Sequence, residues 1–263
     1  MKLKKCDLKG MNFWYRKGDA YVGSRVAVGK YEEYETKLLL ENVKDNSVVV
    51  DVGANIGYYT IQMALICKRV YAIEPDKDNF EILKKNVEEN RLNNVILINA
   101  AVGARKEEIK LYKSVANDGD HRVYNPGGRT IMADIFSVRL DDILVNEQKI
   151  DLIKIDTQGW EPAVVEGGKD IIERDSPTMF LEYWPSAYEE AKLDANKMMK
   201  FLKSVYKDIW QIDSGLNIYK NEIKISEETG YADLWLTNNK SSLWEQYRDI
   251  NIKKIIKKLF KVK

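Results

Sequence analysis

The stretch from Val48 to Thr60 constrains the fold more than any other part of the chain. Three valines lead into Asp51, and a turn containing Gly53 and Gly57 follows before a helical pattern begins. This order of strand, turn and helix opens the nucleotide-type sites of open α/β sheets. Glycine has no Cβ, so the backbone can turn sharply and a ligand can approach it closely. The helix N-terminus then presents free N–H groups and a partial positive charge to that ligand.

The spacing of the two glycines discriminates between ligands. A dinucleotide turn reads G-x-G-x-x-G and a phosphate loop reads G-x-x-x-x-G-K-[ST], and neither pattern occurs here. The turn reads D-x-G-x-x-x-G from Asp51 to Gly57. An acid beside such a turn suits a ligand that has a cationic end and no phosphates. We therefore predict S-adenosylmethionine as the cofactor, because it carries both an α-ammonium and a sulfonium.

A second strand ends in Glu74 and Pro75. A carboxylate about 20 residues after the first acid can accept hydrogen bonds from both ribose hydroxyls. NAD has the same ribose, so Glu74 alone does not separate the two ligands. The alternative is that the glycines only make a tight turn and the acids only end strands. A third strand over residues 95–99 places residues 99–102 at the same sheet edge, where they are expected to border the adenine unless they are an ordinary strand end.

Composition narrows the class of protein. The chain has 263 residues, 42 basic and 41 acidic, and an apolar fraction of 44%. This length suits one large α/β domain, and the balanced charge gives no indication of a nucleic-acid partner. The two cysteines, Cys6 and Cys67, cannot form a disulfide framework, so a reducing cytoplasm is expected. The sequence contains neither a signal-peptide pattern nor an apolar run long enough to span a membrane.

We predict three regions along the chain. Residues 1–40 are expected to form a β-hairpin, with strands 13–16 and 21–28 around a turn at 17–19, and a lead-in helix. Residues 41–240 alternate strand and helix patterns, including a helix from Asp76 to Asn90 capped by Asp76 and another over 187–205. Residues 241–263 form a basic amphipathic helix. Its apolar face either docks on the domain or lies on an anionic membrane surface.

Residues 103–140 interrupt the alternation with a strand-like segment and two polar turns. Insertions of this kind inside an α/β core are often functional. Asp118, Asp120 and the only histidine, His121, lie within four residues. His121 is therefore a candidate general base for deprotonating a hydroxyl. A solvated turn is the plain alternative, and a divalent metal held by the carboxylates is a third, although we assign no metal ligands.

A second motif follows the fourth core strand. Residues 153–161 read Ile-Lys-Ile-Asp-Thr-Gln-Gly-Trp-Glu, which places Asp156 at a strand tip and Glu161 at a helix start. Together with residues 51–60, this motif resembles the FkbM-type S-adenosylmethionine-dependent methyltransferases. Tyr31-Glu32 and residues 137–142 fit the same pattern, and the resemblance covers roughly residues 28–185. Gln158 departs from the glutamate of many members, and we expect this difference to have little effect.

The resemblance implies a class I methyltransferase fold, an α/β Rossmann-like architecture with a seven-stranded, mostly parallel sheet and helices on both faces. It implies that Glu74 binds the ribose, that residues 99–101 border the adenine and that Asp156 lies near the transferred methyl group. The predicted donor-site residues are Glu32, Asp51, Gly53, Ala54, Asn55, Gly57, Tyr59, Thr60, Glu74, Pro75, Asn99, Ala100, Ala101 and Asp156.

The resemblance also implies O-methylation of a hydroxyl on a glycan, sugar or natural-product small molecule. Such an alcohol needs a base, and our candidates are His121, then Asp156 and Glu182. The alternatives are methyl transfer to nitrogen or to a macromolecule, and a donor-binding protein without catalysis. The absence of an Asn/Asp-Pro-Pro-aromatic tetrapeptide weighs against nitrogen. The sequence encodes neither the identity of the acceptor nor the oligomeric state.

Overall fold

The computed structural model describes residues 2–114, 119–212, 218–220, 223–225 and 230–238. The strands are β1 (Leu3–Leu8), β2 (Met11–Arg16), β3 (Val48–Val52), β4 (Arg69–Ile73), β5 (Val95–Ile98), β6 (Ala101–Val102), β7 (Glu107–Tyr112), β8 (Ile131–Val138), β9 (Leu152–Ile155), β10 (Thr178–Tyr183), β11 (Asp208–Ile212), β12 (Ile218–Lys220) and β13 (Ala232–Thr237). The helices are α1 (Gly23–Ala27), α2 (Glu33–Asn42), α3 (Tyr58–Ala64), α4 (Lys77–Glu89), α5 (Leu140–Ile143), α6 (Glu161–Gly167), α7 (Lys169–Asp175), α8 (Pro185–Glu190) and α9 (Ala195–Val205).

The central sheet has the strand order β12-β11-β13-β10-β9-β3-β4-β5. Strands β10, β9, β3, β4 and β5 are parallel to one another, and β13 is antiparallel to both of its neighbours. The predicted seven-stranded, mostly parallel sheet is therefore confirmed, and the short strand β12 extends it at one edge. The carboxyl ends of the parallel strands meet at one edge of the sheet, where ligands bind in such folds.

Two hydrophobic layers cover the sheet. Val49 packs into one layer with residues from the hairpin, α2, α3 and α4. Its neighbours Val48 and Val50 pack into the other layer with residues from α5, α6, α7 and α9. Successive strand side chains point to opposite faces, so a strand buried on both faces reads as a continuous apolar run. This explains why the core strands could be recognised in the sequence.

The N-terminal hairpin exists, but our strand bounds were wrong. The turn lies at Lys9-Gly10, where both residues have positive φ (52° and 88°), and not at residues 17–19. The second predicted strand, 21–28, is instead the short helix α1. The carboxylate of Asp19 causes this, because it accepts hydrogen bonds from the backbone N–H groups of Tyr21, Val22 and Gly23 at 2.9, 3.0 and 2.8 Å. Satisfying these donors starts a helical turn.

Two asparagine side chains on α4 attach strand β2 to the domain. The Asn86 amide accepts from Trp14 N–H at 2.6 Å and donates to the Trp14 carbonyl at 3.0 Å. Asn90, one helical turn later, makes the same pair of bonds with Asn12 at 2.9 and 2.7 Å. Two side chains four residues apart along the helix therefore bind the backbone at two strand positions that are two residues apart. We call Asn86 and Asn90 the amide ladder. Asn86 also donates to the carbonyl of Ile56 in the glycine turn at 2.8 Å.

Among the described residues, the other helix predictions were correct with one exception. Asp76 caps α4, as predicted, by accepting from Asn79 N–H at 2.6 Å. The single helix predicted over 187–205 is two helices, α8 and α9. Lys192 has φ of 58° between them, and Asp194 caps α9 by accepting from Lys197 N–H. A left-handed residue followed by a new cap ends one helix and begins another.

The insertion at 103–140 contributes β7 and β8 to a separate small sheet of strand order β6-β8-β7, in which β6 immediately precedes the insertion. Its predicted strand at 109–112 is part of β7. Asp118 lies outside the described residues, as does the predicted C-terminal helix at 241–263. Within the described residues, no helix is both long enough and apolar enough to cross a membrane.

Candidate active site

The glycine turn lies against the tip of the neighbouring strand. Gly53 has φ of 76°, and a Cβ added there would lie 1.9 Å from the backbone oxygen of Asp156. Gly57 has φ of 90°, and its Cβ would lie 2.6 Å from the side chain of Leu83. Only glycine fits either position. The turn therefore brings the ends of β3 and β9 together and leaves the backbone open on its other side.

A cavity of about 370 Å³ opens at this edge of the sheet. Most of the predicted site residues line it, and the insertion contributes residues 119–121 and 123 to its wall. The predicted residues that line the cavity are Glu32, Gly53, Ala54, Asn55, Tyr59, Glu74, Pro75, Ala100, Ala101, His121, Asp156 and Glu182. Four others do not line the cavity, and their assignment as direct donor contacts stays a prediction: the buried Asp51, Gly57 and Thr60, and the exposed Asn99.

Asp51 is fully buried behind the turn. One of its oxygens accepts from the Thr60 hydroxyl at 2.6 Å, and the other lies 3.5 Å from the Lys154 ammonium. That second oxygen has no hydrogen-bond partner. Asp51 and Thr60 therefore support the turn by linking β3 to α3 and to β9.

Lys154 is a buried cation that the sequence analysis did not identify. Its side chain is 3% exposed, donates to the Gly53 carbonyl at 3.1 Å and lies 3.5 Å from both Asp51 and Asp156. Burial alone would lower its pKa, but Asp156, Asp51 and Glu32 raise it above its ordinary value. A lone lysine inside the apolar run 152–155 is the signal that could have revealed it, because lysine is rarely buried without a partner.

Glu74 is buried at the tip of β4 and is fixed by backbone donors. One carboxylate oxygen accepts from Asn55 N–H at 2.8 Å and the other from Asp76 N–H at 2.9 Å. Burial raises its pKa to about 7. The Asn99 amide donates to the carbonyls of Glu74 and Pro75, so Asn99 positions this strand tip. Each Glu74 oxygen retains a lone pair for a ligand hydroxyl.

Gln158 joins two acids at the other end of the cavity. Its amide nitrogen donates to Asp156 at 2.8 Å and lies 3.3 and 3.5 Å from the two oxygens of Glu182. Its backbone φ of 54° is unusual for a residue other than glycine. Burial, followed by repulsion from Asp156, raises the pKa of Glu182 well above its ordinary value. Our expectation that position 158 matters little was therefore wrong, because this side chain faces both acids.

Glu161 organises the turn that carries Asp156 and Gln158. Its buried carboxylate accepts from the backbone N–H and the hydroxyl of Thr157 at 2.7 and 2.8 Å. It also accepts from Gly159 N–H at 3.1 Å. Burial raises its pKa to about 7. Glu161 therefore does more than favour a helix N-terminus, because it closes the turn on itself.

His121 faces the cavity from the insertion. Its Nδ1 accepts from the backbone N–H of Ser114 at 3.1 Å, so the neutral ring carries its proton on Nε2. The neighbouring Asp120 is paired with Arg122 at 2.8 Å and with Arg129 at 2.5 Å. Among the described residues, no group of three or more His, Cys, Asp or Glu side chains is arranged to hold a metal ion.

Aromatic side chains surround the mouth of the cavity. Tyr21 and Tyr231 are 39% and 38% exposed, and Trp184 packs against Tyr231 with ring centroids 6.0 Å apart. Arg122 stacks over Trp184 at 4.6 Å and thereby ties the insertion to this rim. The exposed Arg25 also lines the mouth. The cavity thus has an aromatic entrance and an acidic interior.

The sequence of the whole domain agrees with the geometry. Residues 51–209 match the methyltransferase FkbM domain, which is more than half of the chain. The chain belongs to the FkbM methyltransferase family. The predicted resemblance is confirmed. The chain is therefore an S-adenosylmethionine-dependent methyltransferase with the class I fold.

Individual relatives and solved structures have low sequence identity to this chain. Hexuronic acid methyltransferase AglP from Haloferax volcanii is 30% identical over 142 residues, which is 52% of this chain and 56% of AglP. The chain thus spans little more than half the length of that relative. A methyltransferase FkbM from Methylobacillus flagellatus has a TM-score of 0.48 at 17% identity, covering 74% of this chain and 44% of that one. The M. jannaschii tRNA m1G37 methyltransferase gives the same TM-score and identity, covering 89% and 55%.

The residues of this FkbM chain fit the methyl donor. The cavity volume lies within the range of small-molecule sites. Gly53 leaves the turn open to a ligand, and Glu74 presents a fixed carboxylate at the position expected for a ribose. Glu32, which is open to the cavity, has a pKa raised to about 7 by the surrounding protein and by Asp156. Acidic side chains of this kind suit a ligand with an ammonium and a sulfonium.

Proposed function

We propose that this enzyme transfers the methyl group of S-adenosylmethionine to a hydroxyl oxygen of a sugar or glycan. The observation that carries the proposal is the pairing of a carboxylate base, Glu182, with an aromatic rim at one cavity. Aromatic faces pack against the C–H face of a sugar ring, and carboxylates accept hydrogen bonds from its hydroxyls. The bound donor supplies an electrophilic methyl group, so the protein must bind the acceptor, orient it and remove its proton.

Glu182 is the base that we propose. A carboxylate whose pKa is raised is a stronger base than an ordinary one. The Gln158 amide, which is itself bonded to Asp156, holds Glu182 at the cavity wall. The hydrogen bond from Ser114 to Nδ1 of His121 favours Glu182 over His121, because it occupies the nitrogen that would accept a proton. Asp156 remains the second candidate.

The likeness to AglP supports a sugar acceptor. That relative is a hexuronic acid methyltransferase, and a hexuronic acid offers a carboxylate as well as hydroxyls. In this chain, Arg25 is exposed at the cavity mouth and forms no ion pair with the described residues. A guanidinium in that position suits the carboxylate of an acidic sugar. We therefore propose hexuronic acids as the first acceptors to test.

The test supplies radiolabelled donor with D-glucuronic acid, D-galacturonic acid, D-glucose and total tRNA in parallel. We expect label in an acidic sugar, and we expect it to survive mild base, because a methyl ether is stable there and a methyl ester is not. Glu182→Gln should abolish most of the turnover while the variant still binds the donor. Asp134→Asn, on the exposed face of β8, serves as the matched control.

Other outcomes would refute parts of the proposal. Label in tRNA alone would establish the alternative of a macromolecular acceptor. Base-labile label would show transfer to a carboxylate and not to a hydroxyl. Donor binding without any labelled product from a broad glycan panel would favour a donor-binding protein without catalysis. Full turnover by Glu182→Gln would exclude Glu182 as the base, and His121→Ala and Asp156→Asn would then be compared.

We also keep the division of the chain into regions 1–40, 41–240 and 241–263 as a proposal. The basic segment 241–263 would bring a cytoplasmic enzyme to an anionic membrane surface. Co-sedimentation with phosphatidylserine vesicles, compared between the full chain and a version ending at residue 240, tests this. Equal binding of both versions would contradict it.

A further inference from the structure

Four carboxyl groups near Lys154 interact electrostatically with one another, and three of them line the cavity. Glu32, at the start of α2, accepts from the Tyr59 hydroxyl at 2.6 Å. Asp156 and Glu182 share the Gln158 amide. Asp233 lies directly opposite Glu182, because these two residues are partners in the antiparallel pair of β13 and β10. We call Glu32, Asp156, Glu182 and Asp233 the carboxyl cluster.

The cluster has more negative charge than its cation can balance. Lys154 lies 3.5 Å from Asp156, but it is equally close to the buried Asp51, so its charge is shared. Glu182 and Asp233 face each other across the strand pair, and like charges in that arrangement repel. If every carboxyl were ionised, a partly enclosed space would contain several uncompensated negative charges, which is costly. The cluster therefore holds protons when no cation is bound.

We propose that the carboxyl cluster senses the charge on the sulfur atom of the ligand, releasing a proton when the cationic donor binds and keeping it when the neutral product binds. S-adenosylmethionine and S-adenosylhomocysteine differ by one methyl group and one positive charge at sulfur. Both carry the same ammonium, carboxylate, ribose and adenine. Any difference in proton release therefore reports on the sulfur. The proposal rests on the donor and is independent of the acceptor's identity.

The surroundings of the cluster favour its protonated form. The protein around Glu32, and then repulsion from Asp156, raises the pKa of this carboxyl to about 7, although it is open to the cavity. Burial also raises the pKa of Glu182 and of Asp233 well above their ordinary values, with Glu32 and Asp156 among the further causes. The other titratable groups that face the cluster are Tyr31, Glu35, Asp51, Tyr59, Glu161, Tyr188 and Tyr231, with Lys154 as the facing cation.

The sign of the pH dependence follows from linkage. A carboxyl that loses its proton on binding the cation makes that binding tighter as pH rises through the pKa of the free protein. This ionisation does not make binding of the neutral product tighter. The ratio of the product Kd to the donor Kd should therefore rise between roughly pH 6 and 8, by up to ~10-fold per pH unit for one linked proton.

Isothermal titration calorimetry of the full chain with each ligand alone tests the proposal. Measurements in phosphate and in Tris, whose ionisation enthalpies differ, count the protons released. We expect S-adenosylmethionine to release more protons than S-adenosylhomocysteine near pH 7. Glu182→Gln removes one acid without changing its shape and should flatten the Kd ratio. Glu88→Gln, on the exposed face of α4, is the matched control and should keep the wild-type slope.

Equal proton release by the two ligands, or a Kd ratio that does not change with pH in the wild type, would overturn the proposal. The wild-type measurement alone can refute the proposal, so the test remains valid even if Glu182→Gln folds poorly. A wild-type slope retained in both Glu182→Gln and Asp233→Asn would also refute it. Failure here with turnover of an acidic sugar intact would leave the proposed function standing.

Discussion

Replacing Lys154 with methionine is the sharpest test of the electrostatics at this site. Methionine has a similar length and fills most of the same volume, so the change mainly removes a charge. It leaves Asp51, which is 1% exposed, without its cation. Removing one partner of a buried ion pair costs about 3–5 kcal/mol, because the remaining charge stays desolvated. Asp156 is more exposed and adds less to this cost.

Lys149 provides the matched control. Its ammonium lies 2.9 Å from Asp151, a shorter distance than in either Lys154 pair, but its side chain is 65% exposed. Lys149→Met should therefore cost no more than ~1 kcal/mol, as expected of a solvated pair. Urea unfolding followed by circular dichroism measures both variants. For a protein of this size, each kcal/mol corresponds to a shift in Tm of about 2–4 °C.

The pH dependence of the Lys154→Met variant is a second signature. The raised pKa of Lys154 means that its stabilisation is fully present below the ordinary lysine pKa and is lost only in strong base. The variant lacks this lysine, so the loss of stability that the wild type undergoes in strong base should be absent from the variant. A stability deficit near neutral pH equal to that of Lys149→Met would refute the assignment of Lys154 as the balancing cation.

Three other substitutions test separate parts of the structure. Gly53→Ala should weaken donor binding, measured by calorimetry, at least ~10-fold. Gly10 also has a positive φ, but no atom lies within 4 Å of a Cβ added there, so Gly10→Ala should cost only about 1 kcal/mol of stability and leave donor binding intact. Asn86→Ala leaves three backbone groups without their hydrogen-bond partner, so we expect the free energy of unfolding to fall by roughly 2–4 kcal/mol and hydrogen exchange at Trp14 N–H to become faster. An exchange rate at Trp14 equal to that of the wild type would contradict this. Tyr231→Ala should raise the acceptor KM several-fold without changing the donor Kd, and an unchanged KM would remove it from the acceptor site.

The core of the fold could be predicted because its signals are local. A buried parallel strand must be apolar throughout, and a turn at its end must contain glycine where no Cβ fits. Both conditions produce patterns that can be recognised in consecutive residues of the sequence. The strands around Asp51, Glu74 and Asp156 were found for this reason, as was the cavity that they border.

The errors came from competition between local patterns. Residues 21–28 have the composition of a strand, but Asp19 upstream captures three backbone donors and starts a helix. The true hairpin turn, Lys9-Gly10, has an unusual first residue for a turn in which both φ angles are positive. In both cases one side chain or one dihedral angle outweighed the average propensity of the segment.

The site residues that were missed depend on contacts between distant segments. Lys154 matters because β3 and β9 are neighbours, and Gln158 matters because its turn folds over the end of β10. Neither contact can be inferred from the residues next to Lys154 or Gln158 in the sequence. The carboxyl cluster likewise combines α2, β9, β10 and β13, which span two hundred residues of sequence, so no local motif announces it.

The amide ladder has a consequence for how this enzyme can evolve. Asn86 and Asn90 hold β2 by its main chain, which every amino acid except proline presents in the same way. These four hydrogen bonds therefore do not depend on which side chains positions 12 and 14 carry. The segment that follows carries Tyr21 and Arg25 to the cavity mouth. Mutations can accumulate in this arm while its anchor stays constant, so acceptor preference can diverge among relatives without a cost to the donor site.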